Sequence, residues 1–248
     1  MPQALIRKLE RFTLLSADDK AALKRAVEGR VRRLGAREDV IHEGDPPHHV
    51  NLIVEGWACR YKVLEDGRRQ IVAFFLPGDF CDLKVFLLKS MDHSIGTLTP
   101  VALAEIPRES IIDLVDNGPR LSRALWWTTL VVEATEREWI VNIGQRTAFE
   151  RLGHIFCELH SRLEAVNLLA EDGSFEFPLT QSELAETTGL STVHVNRTLQ
   201  ELRAAKLVTL RNKTLHILDL DRLRELSLFN PNYLHLDREG REFDSNER

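Results

Sequence analysis

Residues 179–210, LTQSELAETTGLSTVHVNRTLQELRAAKLVTL, constrain this chain more than any other stretch. Thr180-Gln-Ser-Glu183 is a capping box, in which the Thr hydroxyl and the Glu carboxylate satisfy backbone N–H groups that a helix start leaves open. Gly189 makes a tight turn, and Ser191 caps a second helix expected to run to about Ala205. Two short strands around Arg211-Asn-Lys213 follow, from Val208 to Ile217. Helix, turn, helix, hairpin is the order of a winged helix-turn-helix, whose second helix packs one face inward and offers the other to a major groove. On a helical wheel Leu199 and Leu202 fall within about 40° of Val195, the face to be buried. Val193, Arg197 and Gln200 point the opposite way, flanked by His194 and Asn196. Those residue types suit base edges: Arg for guanine, Asn or Gln for adenine, an aliphatic for the thymine methyl. Thr180 and Ser191 sit at helix N-termini, which favour phosphate. With Gln181 and Thr192 they complete the expected contact set for double-stranded DNA. From Pro178 to Ile217 there are five Lys/Arg against three Asp/Glu, a locally basic segment in a chain of net charge −5.

Upstream, the pattern changes twice. Residues 3–28 read as helix, with Leu5, Leu9 and Phe12 on one face and an N-cap at Ser16-Ala-Asp-Asp19. From Val31 to Ile106 short β-rich runs alternate with turn residues, as in a small antiparallel sandwich or roll. Glu65-Asp66-Gly67 marks one hairpin. After Gly118-Pro119 roughly 25 residues run without Gly or Pro, until Gly144 interrupts the helical pattern. Within them Leu121, Leu125, Thr128, Val132, Thr135, Trp139 and Asn142 recur at alternating steps of four and three, a coiled-coil-like seam. The plainer reading is a core-packing helix; its length favours a seam between two copies of the chain. Thr147-Ala-Phe-Glu150 is another capping box, so the inter-domain hinge is expected at Asn142–Arg146.

At 248 residues two domains are the default, and 43% hydrophobic with 29% charged residues supports a packed core. No apolar run approaches the roughly 18 residues that span a bilayer, and the charged N-terminus lacks a signal-peptide core. Three scattered cysteines, Cys59, Cys81 and Cys157, suit a reducing cytoplasm. No C-x-x-C, P-loop, G-x-S-x-G, H-E-x-x-H or G-x-G-x-x-G occurs, so an enzyme is not expected. His48 and His49 are adjacent and follow Pro46-Pro47, so they do not form the i, i+2 metal pair of a β-roll enzyme.

A β-rich domain, a long helix and this C-terminal segment together resemble the cyclic AMP receptor protein/fumarate–nitrate reductase regulator (CRP/FNR) family. The β-region carries its turn pattern in Ile41-His-Glu-Gly44, Leu52-Ile-Val-Glu-Gly56 and Leu76-Pro-Gly-Asp79, and Ala104-Glu-Ile106 closes the roll. The likeness runs from about residue 5 to 225. It implies an α+β chain: an antiparallel, jelly-roll-like β-roll sensor domain over 1–118, a long dimerisation helix over 119–143, and a winged helix-turn-helix domain over 147–226. The tail, 227–248, stays unassigned. By position, the family's base-reading residues fall on Thr192, Val193 and Arg197, the first two of which depart from its Arg and Glu.

The resemblance also places an effector pocket at Cys81, Asp82, His93, Ser94, Glu136 and Arg137. There Cys81-Asp82 replaces the Gly-Glu pair for the ribose, His93-Ser94 replaces the phosphate-binding Arg-Ser, and Glu136-Arg137 stands where a Thr-Ser pair reads adenine. A phosphate diester without its arginine loses its main charge partner, which argues against cyclic AMP. The oxygen-sensing branch needs an N-terminal cysteine cluster, and no cysteine precedes Cys59. The haem branch uses a Cys and a His in the roll and an N-terminal proline; Pro2 and Cys81 fall in place, but Leu83 stands at the histidine. No cofactor and no metal are therefore expected. The implied partners are double-stranded DNA, a second copy and RNA polymerase. Two rivals remain at this point: a ligand-independent regulator whose roll is a scaffold or docking surface, and a metal-dependent β-roll enzyme with a DNA-binding appendage.

Overall fold

The computed structural model describes residues 2–83 and 85–244. The expected helix over 3–28 is two, α1 (Gln3–Leu9) and α2 (Ala17–Val27). Ser16 restarts the helix, its hydroxyl accepting from the Asp19 N–H while the Asp19 carboxylate accepts from the Ser16 N–H. Seven strands follow: β1 (Arg30–Leu34), β2 (Asp39–Ile41), β3 (His49–Glu55), β4 (Ala58–Val63), β5 (Arg69–Phe75), β6 (Ser94–Thr97) and β7 (Val101–Pro107). They form two sheets of order β1-β7-β3 and β2-β6-β4-β5. Val50 and Leu52 share one face of β3, and with Leu103 and Ala104 of β7, a strand buried on both faces, they join Leu5, Leu9 and Leu23 of the first helices in one core. α3 (Arg108–Asn117) leads into α4 (Pro119–Gln145).

α4 corrects two expectations. It runs through Gly144 without a break, since that glycine costs the helix only about 1 kcal/mol and nothing crowds it. The break falls at Arg146, where Thr147 and Glu150 form the capping box of α5 (Ala148–Ala165). The second correction concerns the expected seam. Leu121 and Leu125 are sealed in the core of their own roll, at 1% and 0% exposure, and Thr128 is buried with them. Trp139 is buried too, its indole N–H donating to Glu158 at 2.9 Å. Val132 and Thr135 are half-buried. A stripe of period 3.5 states that something covers it, not whether the cover is the same chain or another. What α4 leaves open is a different stripe: Trp126, Leu130, Glu133, Arg137 and Ile140, again at steps of four and three.

The chain divides into two compact units, one of residues 1–62, 73–133 and 235–248, the other of 63–72 and 134–234. In the second, α5 is followed by β8 (Phe175–Glu176), α6 (Gln181–Thr188), α7 (Thr192–Ala204), β9 (Val208–Arg211), β10 (Thr214–Ile217) and α8 (Leu220–Leu226). β10 lies between β8 and β9, and the wing turn has Asn212 and Lys213 both at positive φ, as a two-residue hairpin demands. Glu158, fully buried on α5, accepts from Trp139, from the Tyr233 hydroxyl at 2.9 Å and from Arg162 at 3.1 Å. Three donors on one carboxylate offset much of the cost of burying its charge. Next to them His154 stacks on Tyr233, and burial with the nearby Arg146 guanidinium holds it neutral, its pKa lowered to about 3. The hairpin tip Val63–Val72 belongs to this unit, with Arg69 3.3 Å from Glu186 and the Gln70 amide donating to the Thr187 carbonyl at 3.3 Å.

The unassigned tail has structure of its own. Pro231–Leu234 is a 3₁₀ turn of the second unit. From His235 the chain belongs to the first, where Arg241–Phe243 forms another. The Phe243 ring lies against Phe12 and under the Arg123 guanidinium, and the Asp244 carboxylate accepts from the Leu14 N–H at 2.7 Å and the Thr13 hydroxyl at 3.1 Å. Gly240 passes so close to Phe12 that a Cβ there would fall 2.4 Å from its ring.

Candidate nucleic-acid interface

The interface is built on three caps. The Thr180 hydroxyl accepts from the Glu183 N–H at 3.2 Å, while the Glu183 carboxylate accepts from the Thr180 N–H at 2.7 Å, closing the box that starts α6. Gly189 ends α6 in the left-handed conformation, φ 67°, where a side chain would be strained. The Ser191 hydroxyl then accepts from the His194 N–H at 3.2 Å to start α7. From α5, Arg151 donates to the Thr188 carbonyl at 2.9 Å and the Arg146 carbonyl at 2.8 Å, so one guanidinium ties the end of α6 to the start of α5.

Burial along α7 follows the wheel. Val195, Thr198, Leu199 and Leu202 are inside; Thr192, Val193, Arg197 and Gln200 are outside, and His194 and Asn196 lie between. Val193 is 78% exposed, which for an aliphatic at a helix N-terminus leaves contact area with no partner in the chain. Gln181, Thr192, Val193, Asn196, Arg197 and Gln200 line one shallow depression. Their polar groups are arrayed by mutual bonds: Asn196 donates to Gln181 at 3.3 Å, and Gln200 donates to Asn196 at 3.0 Å. Arg197 reaches the His194 Nε2 at 2.9 Å, which requires that nitrogen to carry the lone pair. Thr180 and Ser191 keep their hydroxyls on their own helix starts. The depression thus offers donors, acceptors and one methyl-sized apolar patch in the proportions a base edge needs.

The roll residues behave differently. The Asp82 carboxylate takes Arg60 at 2.7 Å on one oxygen and His93 Nε2 at 3.1 Å on the other. His93 Nδ1 meets Asp92 at 2.7 Å, which holds the Asp92 carboxyl below the usual range. Arg60 also donates to the Cys81 carbonyl at 2.9 Å, and the Ser94 hydroxyl accepts from the Glu43 N–H. Around Cys81, Asp82, Asn51 and Ile95 only about 10 Å³ of space remains, a single water's worth. Cys81 is fully buried, and desolvation, then the Asp82 charge, push its thiol well up. The structure therefore brings together Cys81, Asp82 and His93, with Ser94 adjacent. Glu136 and Arg137 lie on the part of α4 that belongs to the second unit and line neither recess of the roll. Arg60, the partner that closes this network, gave no local signal: it is one position of an alternating strand, and its role depends on a residue 22 positions away. Among the described residues no three His, Cys, Asp or Glu groups gather as for a metal ion, and no helix is long and apolar enough to cross a membrane.

Comparison with known proteins agrees with both halves. Residues 150–226 match the Crp-like helix-turn-helix domain, and residues 31–117 match the cyclic nucleotide-binding domain. The chain is 28% identical over 197 residues to the transcriptional activator protein FnrL of Cereibacter sphaeroides, covering 79% of this chain and 78% of FnrL. It is 28% identical over 200 residues to the nitrogen fixation regulation protein FixK of Bradyrhizobium diazoefficiens, covering 80% and 82%. The solved structure of FixK2 from Bradyrhizobium japonicum superposes with a TM-score of 0.71 at 25% identity, over 79% of this chain and 96% of that one. With a roll and a winged helix of these two kinds joined in this order, the chain belongs to the CRP/FNR family of DNA-binding transcription regulators.

Proposed function

We propose that the chain acts in the cytoplasm as a homodimer on a pseudo-palindromic operator and answers to a signal other than a cyclic nucleotide. The observation that carries the first part is α7: three aliphatics and Thr198 buried, with Val193, Asn196, Arg197 and Gln200 presented together. Two-fold pairing sets half-sites about one helical turn apart. The pairing face is the open stripe of α4, where Trp126 is 53% and Ile140 71% exposed, with Leu130 between them. Its spacing is that of a coiled-coil seam, and Glu133 and Arg137 within it set register at some cost in stability. Sedimentation at micromolar concentration should show a dimer, and Leu130→Asp should give monomers that bind a single half-site only. A monomeric parent with undiminished affinity for the full operator rejects the pairing.

The second part rests on Asp82. Its carboxylate already stands where Arg60 and His93 converge, so an incoming phosphate meets a like charge and a filled space. Burial, then the Asp82 charge, push the Cys81 thiol up, which disfavours the thiolate that haem ligation by this cysteine would need. Calorimetry with cyclic AMP and cyclic GMP should register no binding; submicromolar affinity with a gain in operator binding overturns this reading. The naming of relatives as activators supports contact with RNA polymerase.

A further inference from the structure

We propose that the first unit carries a peptide-recognition site for the motif Gly-x-x-Phe-Asp, occupied in cis by the chain's own residues 240–244. The site lies on the turn after α1 and the first turns of α4, and each fixed position of the motif has a physical reason. Gly240 donates its N–H to the Phe12 carbonyl at 3.1 Å, and a Cβ there would fall 2.4 Å from the Phe12 ring. Only glycine brings a backbone that close. The Phe243 ring fills a slot between Phe12, 6.1 Å away between centroids, and the Arg123 guanidinium, 4.1 Å from its centre. The Asp244 carboxylate accepts from the Leu14 N–H at 2.7 Å and from the hydroxyl of fully buried Thr13 at 3.1 Å. The backbone is held as well: Arg120 donates to the Phe243 carbonyl at 2.7 Å, while Asp19 takes its other arm at 2.5 Å. Arg241 and Glu242, the two free positions, are exposed.

Three observations mark these residues as a ligand rather than a part of the domain they rest on. Among the described residues the hydrophobic core of the roll contains none from the tail, and Phe243 stays half-buried. Both family matches, over 31–117 and 150–226, end before the tail begins. The surface beneath is held by its own contacts: Trp127 stacks on Phe12 at 5.7 Å, and Asp19 anchors Arg120. The slot therefore does not depend on the tail for its shape, and it fits any segment with the same spacing. A short tether supplies an effective concentration of about a millimolar, so an intrinsic affinity of roughly tens of micromolar already keeps the tail docked. Docking of that strength is reversible. A protein that presents an exposed Gly-x-x-Phe-Asp segment competes with the tail, which gives the regulator an input from another protein. This inference is independent of the readings of α7 and of the Asp82 recess.

The test compares the full-length parent with a full-length Phe243→Ala, Asp244→Ala double variant, whose tail has lost both anchors. The probe is a fluorescently labelled, C-terminally amidated peptide of residues 238–244, followed by anisotropy. The variant should bind it with a Kd on the order of tens of micromolar, and the parent at least tenfold more weakly because its tail competes. Peptides with alanine at Gly240, Phe243 or Asp244 should each lose at least tenfold, whereas alanine at Arg241 or Glu242 should change little. Gly240→Ala in the full chain expels the tail by its clash with Phe12 and should open the site in the same way. It keeps the test decisive should the double variant not fold, and thermal unfolding checks both chains. No saturable binding to a folded variant, or indifference to all three motif positions, overturns the proposal. Equal binding by parent and variants would show that the tail does not hold the site, and overturns its assignment as the resident ligand. So does competition in the parent that grows with its own concentration, since the tail would then come from a second copy.

Discussion

The recognition surface and the interior of the roll use the same kinds of side chain to opposite ends. On α7, Arg197 is bonded to His194 and Gln200 to Asn196, yet Arg197 and Gln200 remain open to solvent, with an exposed valine among them. In the roll, Arg60, Asp82 and His93 are also bonded to one another, but they close a space. An open polar array costs little to keep hydrated and gains on meeting a partner with matching groups. A closed array has already exchanged water for protein and gains nothing from a charged visitor. Of the two regions, only the open array on α7 is built to gain from meeting a charged partner.

The sharpest way to break that contrast is to open the closed array. Asp82→Ala leaves Arg60 and His93 without their shared carboxylate, and loss of one partner of a buried pair costs about 3–5 kcal/mol. Chemical denaturation should show a drop of that order, and tens of millimolar formate or acetate should return part of it by refilling the site. Unchanged stability would mean that the carboxylate does not close the recess.

Removing a member of the open array should do the reverse. Arg197→Ala should leave thermal stability near that of the parent, because the side chain is two-thirds exposed. A bidentate Arg–guanine contact is worth about 1–3 kcal/mol of discrimination, so binding-site selection should show relaxed preference at one base pair of each half-site. If preference is kept everywhere, Arg197 is a phosphate clamp and Val193, Asn196 and Gln200 read the bases.

Acid probes the buried polar cluster of the second unit. The folded pKa of His154, about 3, lies below its unfolded value near 6.5, so the unfolded chain takes up the proton first. The stability this confers is complete above about pH 6.5 and drains as pH falls towards 3, at up to ~1.4 kcal/mol per pH unit. Denaturation midpoints of the parent and His154→Phe between pH 7 and 5 should diverge in slope, the variant being flatter; parallel slopes would show that His154 is not buried neutral. The smallest effect belongs to Thr180→Ala: a capping loss of about 0.5–2 kcal/mol and weaker binding to every sequence, with preference unaltered.

What the sequence made legible was local chemistry. The capping boxes at Thr147 and Thr180 and the cap at Ser191 are written in four consecutive residues each, and the structure forms all three. The strands of the roll were likewise readable, since alternation and turn residues are near-neighbour signals. The face of α4 was not. Leu121, Leu125 and Trp139 repeat like a dimer seam because the roll core and Glu158 demand the same spacing, while charged Glu133 and Arg137 disguise the stripe left open. Nor could the closure of the Asp82 recess be read, since it joins residues from separate segments of the roll.

The tail carries a consequence for the order in which the protein is made. Phe243 and Asp244 complete the packing around Phe12 and Thr13, so the turn after α1 waits for residues made 231 positions later. The 231 positions between Thr13 and Asp244 take roughly 10–50 s to synthesise at ordinary elongation rates. Throughout that interval the ring of Phe12 lacks the cover that Phe243 supplies, and a chain terminated at the end of α8 never receives it. Nascent copies should accordingly lean on chaperones around Phe12 until Phe243 has emerged.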